Sequence, residues 1–229
     1  AAVKRPNDAK MIFVKLLKDD PDNIDNIVAS ADFERGRDKF EDGRKLFQSY
    51  LDRRGDQAIA QEWILFARFL LAGGLTQPAI GAYQKAIALE DETFKQASRE
   101  LADWYFNSQY FSLAAPLYQN AFGVSKSPRL WLRYIETLIY VGEADEAREL
   151  LTAFVAANGD DAQSSLLAGI IAIGKNEYDV AEDAVRRAVE LGPNTPQAYL
   201  YRARLDFLRN PPNERQGVIV DLEKALNLD

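Results

Sequence analysis

The stretch Gly142-Glu-Ala-Asp-Glu-Ala147 is matched by Asn176-Glu-Tyr-Asp-Val-Ala181, which follows it at a distance of 34 residues. Each stretch is followed by an amphipathic segment and then by a loop. The loops, Asn158-Gly159 in the first case and Gly192-Pro193 in the second, lie at the same distance from the start of their stretch. A fixed period of this length is the signature of stacked helical hairpins. The pair therefore predicts an all-α architecture.

The same phase extends along the whole chain. It finds six sets of packing residues with spacings of four and three, which place each set on one face of a helix. We interpret each set as the second helix of a hairpin. The sets are Gly43, Phe47, Tyr50; Ala79, Tyr83, Ala86; Ala114, Tyr118, Ala121; Ala147, Leu151, Phe154; Ala181, Val185, Ala188; and Val218, Leu222, Ala225. Their first members are 36, 35, 33, 34 and 37 residues apart.

The phase also predicts the organisation of the chain. We expect about thirteen helices in a single array, with first helices beginning near Ile24, Ala60, Lys95, Pro128, Ala162 and Pro196. The predicted ranges are 1–23 for the unpaired helix of a truncated repeat, then 24–59, 60–94, 95–127, 128–161, 162–195 and 196–229 for the hairpins. Neither end carries an obvious cap, which favours a fragment of a longer array.

Composition narrows the classes of function. The chain of 229 residues has no histidine and no cysteine, and its net charge is −7. The first two absences remove the commonest general base, the commonest metal ligand and any thiol nucleophile. The negative charge argues against a nucleic-acid partner, which needs a basic face. No apolar run is long enough to cross a membrane, so we expect no direct membrane insertion.

The residues of three repeats carry a resemblance to a known family. Trp131, Gly142, Ala147 and Phe154 resemble the tetratricopeptide repeat (TPR). The other two repeats match at Gly169, Tyr178, Ala181, Ala188, Pro193 and at Trp63, Gly74, Ala79, Tyr83, Ala86. The resemblance covers essentially the whole chain. It implies an α-solenoid of antiparallel helix hairpins that forms a right-handed superhelix, with a concave groove lined by the first helices.

Helical phase then nominates the residues of the first helices that point into this groove. We expect a protein or peptide partner to bind there, through either an amphipathic helix or an extended peptide. Contiguous apolar surface usually marks an interaction site, and arginines can fix acidic groups. The predicted groove residues are Ile64, Arg68, Arg99, Phe106, Arg129, Leu132, Arg133, Glu136, Ile139, Tyr140, Leu166, Ile170, Ile173, Leu200, Arg204 and Phe207. Neighbouring first helices, missing flanking repeats or a second copy of the chain could instead cover these residues.

Other kinds of site are weaker hypotheses. Arg129 and Arg133 resemble the basic pair of the carboxylate clamp found in some TPR domains, but the other clamp positions fail, so chaperone binding is not predicted. The adjacent acids Asp160 and Asp161 fall in a turn, where capping is the ordinary role of aspartate. No catalytic residue, cofactor or metal site is predicted.

The sequence therefore predicts a non-catalytic scaffold for protein–protein binding, within a larger assembly. The alternative is a structural spacer or self-assembling segment of a bacterial envelope or polysaccharide-secretion machine, in which case a homo-oligomer is expected. An enzyme, or a domain that regulates an enzyme elsewhere, has the least support. A chain without thiols suits the cytoplasm and the periplasm alike, so the compartment is left open.

Overall fold

A computed structural model of the chain describes residues 6–90, 95–211 and 215–228. Across these ranges it contains thirteen α-helices, one 3₁₀ turn at Gly55–Gln57 and no strand. The helices are α1 (Pro6–Asp19), α2 (Ile24–Arg35), α3 (Phe40–Arg54), α4 (Ala60–Ala72), α5 (Thr76–Ala88), α6 (Gln96–Asn107), α7 (Phe111–Phe122), α8 (Pro128–Val141), α9 (Ala144–Asn158), α10 (Ala162–Gly174), α11 (Tyr178–Leu191), α12 (Pro196–Arg209) and α13 (Gln216–Leu228). The predicted all-α class is confirmed.

The helices pair in the order that the repeat predicts. Helices α2, α4, α8, α10 and α12 begin at the residues expected for first helices, and α6 begins one residue later than expected, at Gln96. Five first helices pack against the second helix that follows them, as α10 does with α11 and α4 with α5. In the remaining hairpin Phe106 of α6 meets Phe111 of α7 with 5.2 Å between ring centroids. The preceding helix α1 packs against α2.

A left-handed backbone conformation recurs once in each of the first five hairpins, at the turn between the two helices. The residues with positive φ in these turns are Asp38, Gly74, Gln109, Gly142 and Asn176. Their spacings of 36, 35, 33 and 34 residues are those of the packing sets. Because glycine adopts this conformation freely and Asn and Asp tolerate it, the turn chemistry supports the period in most repeats.

The packing sets form the interior of the hairpins. Every member of the first five sets is buried, from Gly43 to Ala188. Gly43 permits a close crossing, since a Cβ atom there would lie only 2.7 Å from the backbone oxygen of Ala31. The sixth set differs from the prediction. Of its three members only Ala225 is buried, whereas Val218 is half-buried and Leu222 is exposed. The second buried residue of α13 is Asp221, next to Leu222, so the buried face is turned away from the predicted one.

By its contacts the chain divides into two compact units, Ala1–Leu101 and Ala102–Asp229. Aromatic rings fill the first interior, where Phe47 lies 5.2 Å from Phe66 and 5.7 Å from Phe69 between ring centroids. The second unit has a larger core in which Trp131 packs edge-on against Phe154 at 5.5 Å.

Buried tyrosines add polar links between helices inside each unit. The Tyr50 hydroxyl of α3 donates to Glu62 of α4 at 2.5 Å. In the second unit the Tyr118 hydroxyl donates to Asp103 at 2.6 Å, and Tyr134 donates to Glu146 at 3.0 Å. Burial, followed by the neighbouring carboxylate, raises the pKa of each of these tyrosines well above its ordinary value. The phenols therefore stay protonated and remain donors.

Candidate functional site

The three predicted groove residues of the first unit lie on α4 and α6 and have different surroundings. Ile64 is fully buried, because α4 packs against α2, α3 and α5. Its side chain belongs to the interior, and the expectation that it faces a partner is wrong for this reason. Arg68 and Arg99 are exposed.

The guanidinium of Arg68 is held by Glu100. Its Nε donates to one carboxylate oxygen at 2.9 Å, and a second hydrogen bond joins Nη2 to the other oxygen. Tyr83 and Gln96 donate to the same carboxylate at 3.1 and 2.7 Å. Burial raises the pKa of Glu100, but the hydrogen bonds from Arg68 and Gln96 outweigh it and hold the pKa below its ordinary value. Arg68 is therefore part of an internal network and not a free cation.

In the second unit a cleft of about 410 Å³ lies between the first helices α8, α10 and α12. This volume falls in the usual range for ligand-binding clefts. The lining residues are Arg129, Leu132, Arg133, Glu136, Tyr140, Gln163, Leu166, Leu167, Ile170, Gln197 and Tyr201. The structure thus brings together seven of the predicted groove residues, namely Arg129, Leu132, Arg133, Glu136, Tyr140, Leu166 and Ile170.

The floor of the cleft is apolar. Leu166 and Leu167 are buried, and Leu166 packs against Ala188 and Ala198 of the neighbouring helices. Leu132 and Ile170 are half-buried and complete the apolar surface. The prediction that Leu166 is an exposed contact is therefore wrong, because α12 covers much of its side chain. A substitution there would disturb packing before it disturbed a partner.

The charged residues of the cleft stand on α8. Arg129 is exposed and makes no ion pair or hydrogen bond through its side chain with any residue that the structure describes. Arg133 is half-buried, donates to Glu136 at 3.4 Å and stacks over the Phe106 ring at 4.2 Å from its centroid. Burial raises the pKa of Glu136 despite Arg133. Two guanidinium groups and one carboxylate leave this wall with a net positive charge.

An aromatic pair closes the end of the cleft at the last turn of α8. The Tyr140 ring stacks on Phe111 with 4.2 Å between centroids, and it also meets the edge of Phe106 at 6.0 Å. Burial, then the nearby Glu136 and Tyr201, raises the pKa of Tyr140. Tyr140 therefore presents a neutral hydroxyl and a ring held in place by stacking.

The remaining predicted residues lie outside the cleft lining. Phe106 and Ile173 are buried, in contacts with α7 and with Leu205 of α12 respectively, so the expected exposure is wrong for both. Ile139 is half-buried against the core of the second unit. The exposed residues that do not line the cleft are Leu200, Arg204 and Phe207.

Sequence reasoning missed four lining residues, although the period contained the signal. Gln163 and Gln197 lie 34 and 68 residues after Arg129. Leu167 and Tyr201 lie 34 and 68 residues after Arg133 in the same way. Carrying each predicted position on α8 forward by one and two periods would have found all four.

The adjacent acids have structural partners. Asp161 caps α10, since its side chain accepts from the Ser164 amide at 2.7 Å. Asp160 accepts from Ser165 at 2.9 Å and pairs with Arg187 at 2.5 Å. Within the described ranges no group of His, Cys, Asp and Glu has the arrangement of a metal site. None of the helices described there has the length and hydropathy needed to cross a bilayer.

Comparisons with known proteins show which fold the chain has. No family model and no curated protein sequence matches the chain. A solved TPR protein from Cytophaga hutchinsonii superposes with a TM-score of 0.70 at 15% identity, covering 98% of this chain and 90% of its own. YrrB, described as a TPR protein with an unusual peptide-binding site, superposes with a TM-score of 0.57 at 18% identity. The match covers 80% of this chain and 92% of YrrB. MamA from Desulfovibrio magneticus superposes with a TM-score of 0.60 at 16% identity, and the match covers 74% of this chain and 94% of the MamA chain.

Identities this low carry the fold and not the function of these proteins. The predicted resemblance is nevertheless confirmed at that level, because the match to the Cytophaga protein spans nearly the whole chain. The chain has the tetratricopeptide-repeat fold, an α-solenoid of helix hairpins.

Proposed function

We propose that this chain is a non-catalytic scaffold that binds a peptide segment of a partner protein in the cleft between α8, α10 and α12. The observation that carries the proposal is the composition of that cleft, which combines an apolar floor with the guanidinium of Arg129, a group that pairs with no residue in the described ranges. Apolar surface supplies most of the binding energy, and a few placed polar groups supply orientation.

Two further observations support a protein partner. The fold is shared with YrrB, described as having a peptide-binding site, although the likeness concerns the fold. The clefts of such scaffolds lie on first helices, and the seven residues that the repeat phase nominated in this cleft come from α8 and α10. The adjacent acids Asp160 and Asp161 serve as a cap and an ion pair, which leaves them no catalytic task in the proposal.

A blocking experiment tests this proposal, using the fact that the chain has no cysteine. Peptides are first selected from a random phage-displayed library on the unmodified chain. Gln163→Cys, at the half-buried wall of the cleft, is then labelled with a bulky maleimide, and the selected peptides are titrated by fluorescence anisotropy. We expect the adduct to abolish binding.

The matched control is Gln119→Cys, an exposed position on α7 of the same unit and outside the cleft. Its adduct should leave the affinity unchanged. Equal binding to both adducts would show that the peptides do not use the cleft. A library that yields no binding peptide would also contradict the proposal.

A second candidate function, self-association, is favoured by exposed apolar side chains on α12. Leu200 is 44% exposed and Phe207 is 52% exposed, whereas Leu166 and Ile173, one period earlier, are only 3% and 5% exposed. In the earlier repeat the cover comes from Ala198 and Leu205 of the next first helix. A helix from a second copy could cover Leu200 and Phe207 in the same manner.

Light scattering coupled to size-exclusion chromatography tests this second candidate. If the chain self-associates through this surface, Leu200→Lys should lower the average mass at a given concentration. Val180→Lys, an exposed valine on α11, is the control and should leave the mass unchanged. A chain that stays monomeric over the full concentration range would exclude self-association.

A further inference from the structure

A second concave region lies in the first unit, between two second helices. Helices α3 and α5 form its walls, and α4 lies beneath them. Its volume is about 480 Å³, within the usual range for small-molecule sites. Every residue that lines it belongs to the unit Ala1–Leu101, so it shares no residue with the cleft between α8, α10 and α12. We call it the α3–α5 groove.

The floor of the α3–α5 groove is apolar and aromatic. Phe66 and Leu70 of α4 and Ala82 of α5 are buried at its base. Trp63 is half-buried beside them, with 6.3 Å between its ring centroid and that of Phe66 and an angle of 60° between the rings. Aromatic rings attract one another in tilted and offset arrangements. This floor therefore suits a flat, apolar ligand.

Gly81 keeps one wall of the groove open. It lies within α5, and a Cβ atom built there would meet nothing within 4 Å. Glycine destabilises the interior of a helix, and here it relieves no internal contact. The equivalent positions of the other second helices carry side chains, namely Lys45, Pro116, Glu149, Asp183 and Val220. The glycine of α5 thus leaves free space beside the aromatic floor.

The equivalent position in the last hairpin has a different chemistry. By the phase of the repeat, Phe66 and Ala82 correspond to Arg202 and Asp221. The guanidinium of Arg202 donates to the Asp221 carboxylate at 2.7 and 2.5 Å, so these charges satisfy each other inside the protein. The α3–α5 groove has apolar side chains at both positions. Its floor therefore offers contact area to a ligand and no ion pair.

The edge of the groove carries a positive charge. The Lys85 ammonium lies 4.2 Å from the centroid of the Trp63 ring, and this cation–π contact positions it beside the floor. Among the residues that the structure describes, Lys85 makes no ion pair and no side-chain hydrogen bond. The nearby charges of Arg44 and Glu41 pair with each other at 2.8 Å. Lys85 is therefore free to bind an anion.

We propose that the α3–α5 groove binds a small aromatic carboxylate, with its ring against Phe66 and Trp63 and its carboxylate on Lys85. The floor supplies apolar contact, and the ammonium supplies a charge-assisted hydrogen bond that fixes orientation. The space beside Gly81 admits the ring. This small-molecule site is additional to the peptide-binding cleft proposed above, and it stands or falls separately from it.

Fluorine NMR of the chain labelled with 5-fluorotryptophan tests the proposal. The chain has three tryptophans, and Trp104 and Trp131 lie in the other unit, where they serve as internal references. The resonance of Trp63 is assigned with Trp63→Phe. We expect 3-phenylpropionate to shift this resonance saturably and to leave the other two in place. Its uncharged amide should bind roughly three- to tenfold more weakly, because it lacks the charge that Lys85 binds.

Variants separate the roles of charge and space. Lys85→Met keeps the apolar stem, so it should weaken binding of the acid to the level of the amide. Gly81→Leu fills the groove and should abolish binding, with far-ultraviolet circular dichroism confirming that the helices persist. The matched controls are Lys45→Met and Ala88→Leu, at exposed positions of α3 and α5 outside the lining. Both should leave the dissociation constant unchanged.

Three results would overturn the inference. The first is a Trp63 resonance that 3-phenylpropionate does not move up to its solubility. The second is equal binding of the acid and the amide to the wild type, which would remove the role of Lys85 whether or not Gly81→Leu folds. The third is a peptide with a C-terminal phenylalanine that shifts the same resonance and binds at least tenfold more tightly, which would make the groove a docking site for a protein.

Discussion

Gly169 gives the sharpest test of how closely the two helices of a repeat approach. It lies in the middle of α10, and a Cβ atom built there would fall 2.5 Å from Cγ2 of Val185 on α11. Real carbon atoms do not approach so closely, so Gly169→Ala must displace one of the two helices or the valine. Val185 is fully buried and β-branched, which makes a change of its rotamer unfavourable.

Two effects of opposite sign set the magnitude. Alanine is favoured over glycine in a helix interior by about 0.8–1.0 kcal/mol. Overpacking a well-packed core typically costs about 1–3 kcal/mol. We therefore expect Gly169→Ala to lower the free energy of unfolding by about 1 kcal/mol. In the background of Val185→Ala the clash is gone, and the same substitution should stabilise by up to about 1 kcal/mol.

The assay is urea denaturation of the four proteins in this cycle, followed by far-ultraviolet circular dichroism. Gly81→Ala is the control, because Gly81 lies within α5 and a Cβ atom there meets nothing within 4 Å. It should stabilise by about 0.5–1 kcal/mol. If Gly169→Ala stabilises in both backgrounds, α10 and α11 do not pack as closely as the structure describes.

Three further variants test the network, the turn and the cleft. Glu100→Gln should destabilise the protein at pH 7, by about 1–3 kcal/mol through loss of charge-assisted hydrogen bonds. Because the folded pKa of Glu100 is lowered, its contribution is present above the ordinary pKa of 4.5 and is lost as the pH falls through the folded value. When the urea midpoint is plotted against pH, the curves of Glu100→Gln and the wild type should therefore converge in acid. Curves that stay parallel would contradict this. Gly142→Ala should lower the free energy of unfolding by about 1–2 kcal/mol. The reason is the backbone, since φ is +90° there and a Cβ atom would meet nothing within 4 Å. An unchanged urea midpoint would refute this prediction. Glu136→Gln should strengthen binding of an acidic peptide severalfold at neutral pH, because it removes a carboxylate that is hydrogen-bonded to Arg133. Unchanged anisotropy titrations would contradict this.

Much of the fold could be predicted from the sequence because the period fixes local structure and neighbours together. The match between Ala147 and Ala181 sets the phase, and the same phase gives buried faces for five second helices. The turns follow as well, since Gly74 and Gly142 occupy the left-handed position that each repeat needs. Each repeat contacts only its neighbours in the array, so equivalent helices of successive repeats pack against equivalent neighbours.

The candidate site was predictable only in part, because a helical phase gives the direction of a side chain and not what covers it. Leu166 and Leu200 share one phase, yet Leu166 is buried and Leu200 is exposed. The difference arises from Ala198, which lies 32 residues after Leu166. Arg68 was predicted to be free for the same reason, whereas Glu100 binds it from the next repeat.

The central claim is that a peptide lies in the cleft of the second unit, and photo-crosslinking tests it most directly. A selected peptide carrying a diazirine is irradiated in complex with the full chain, and the labelled residues are mapped by mass spectrometry. We predict labels at the cleft-lining positions of α8, α10 and α12, including Arg129, Gln163 and Gln197. Labels confined to α9 and α11, or to the unit Ala1–Leu101, would contradict the claim.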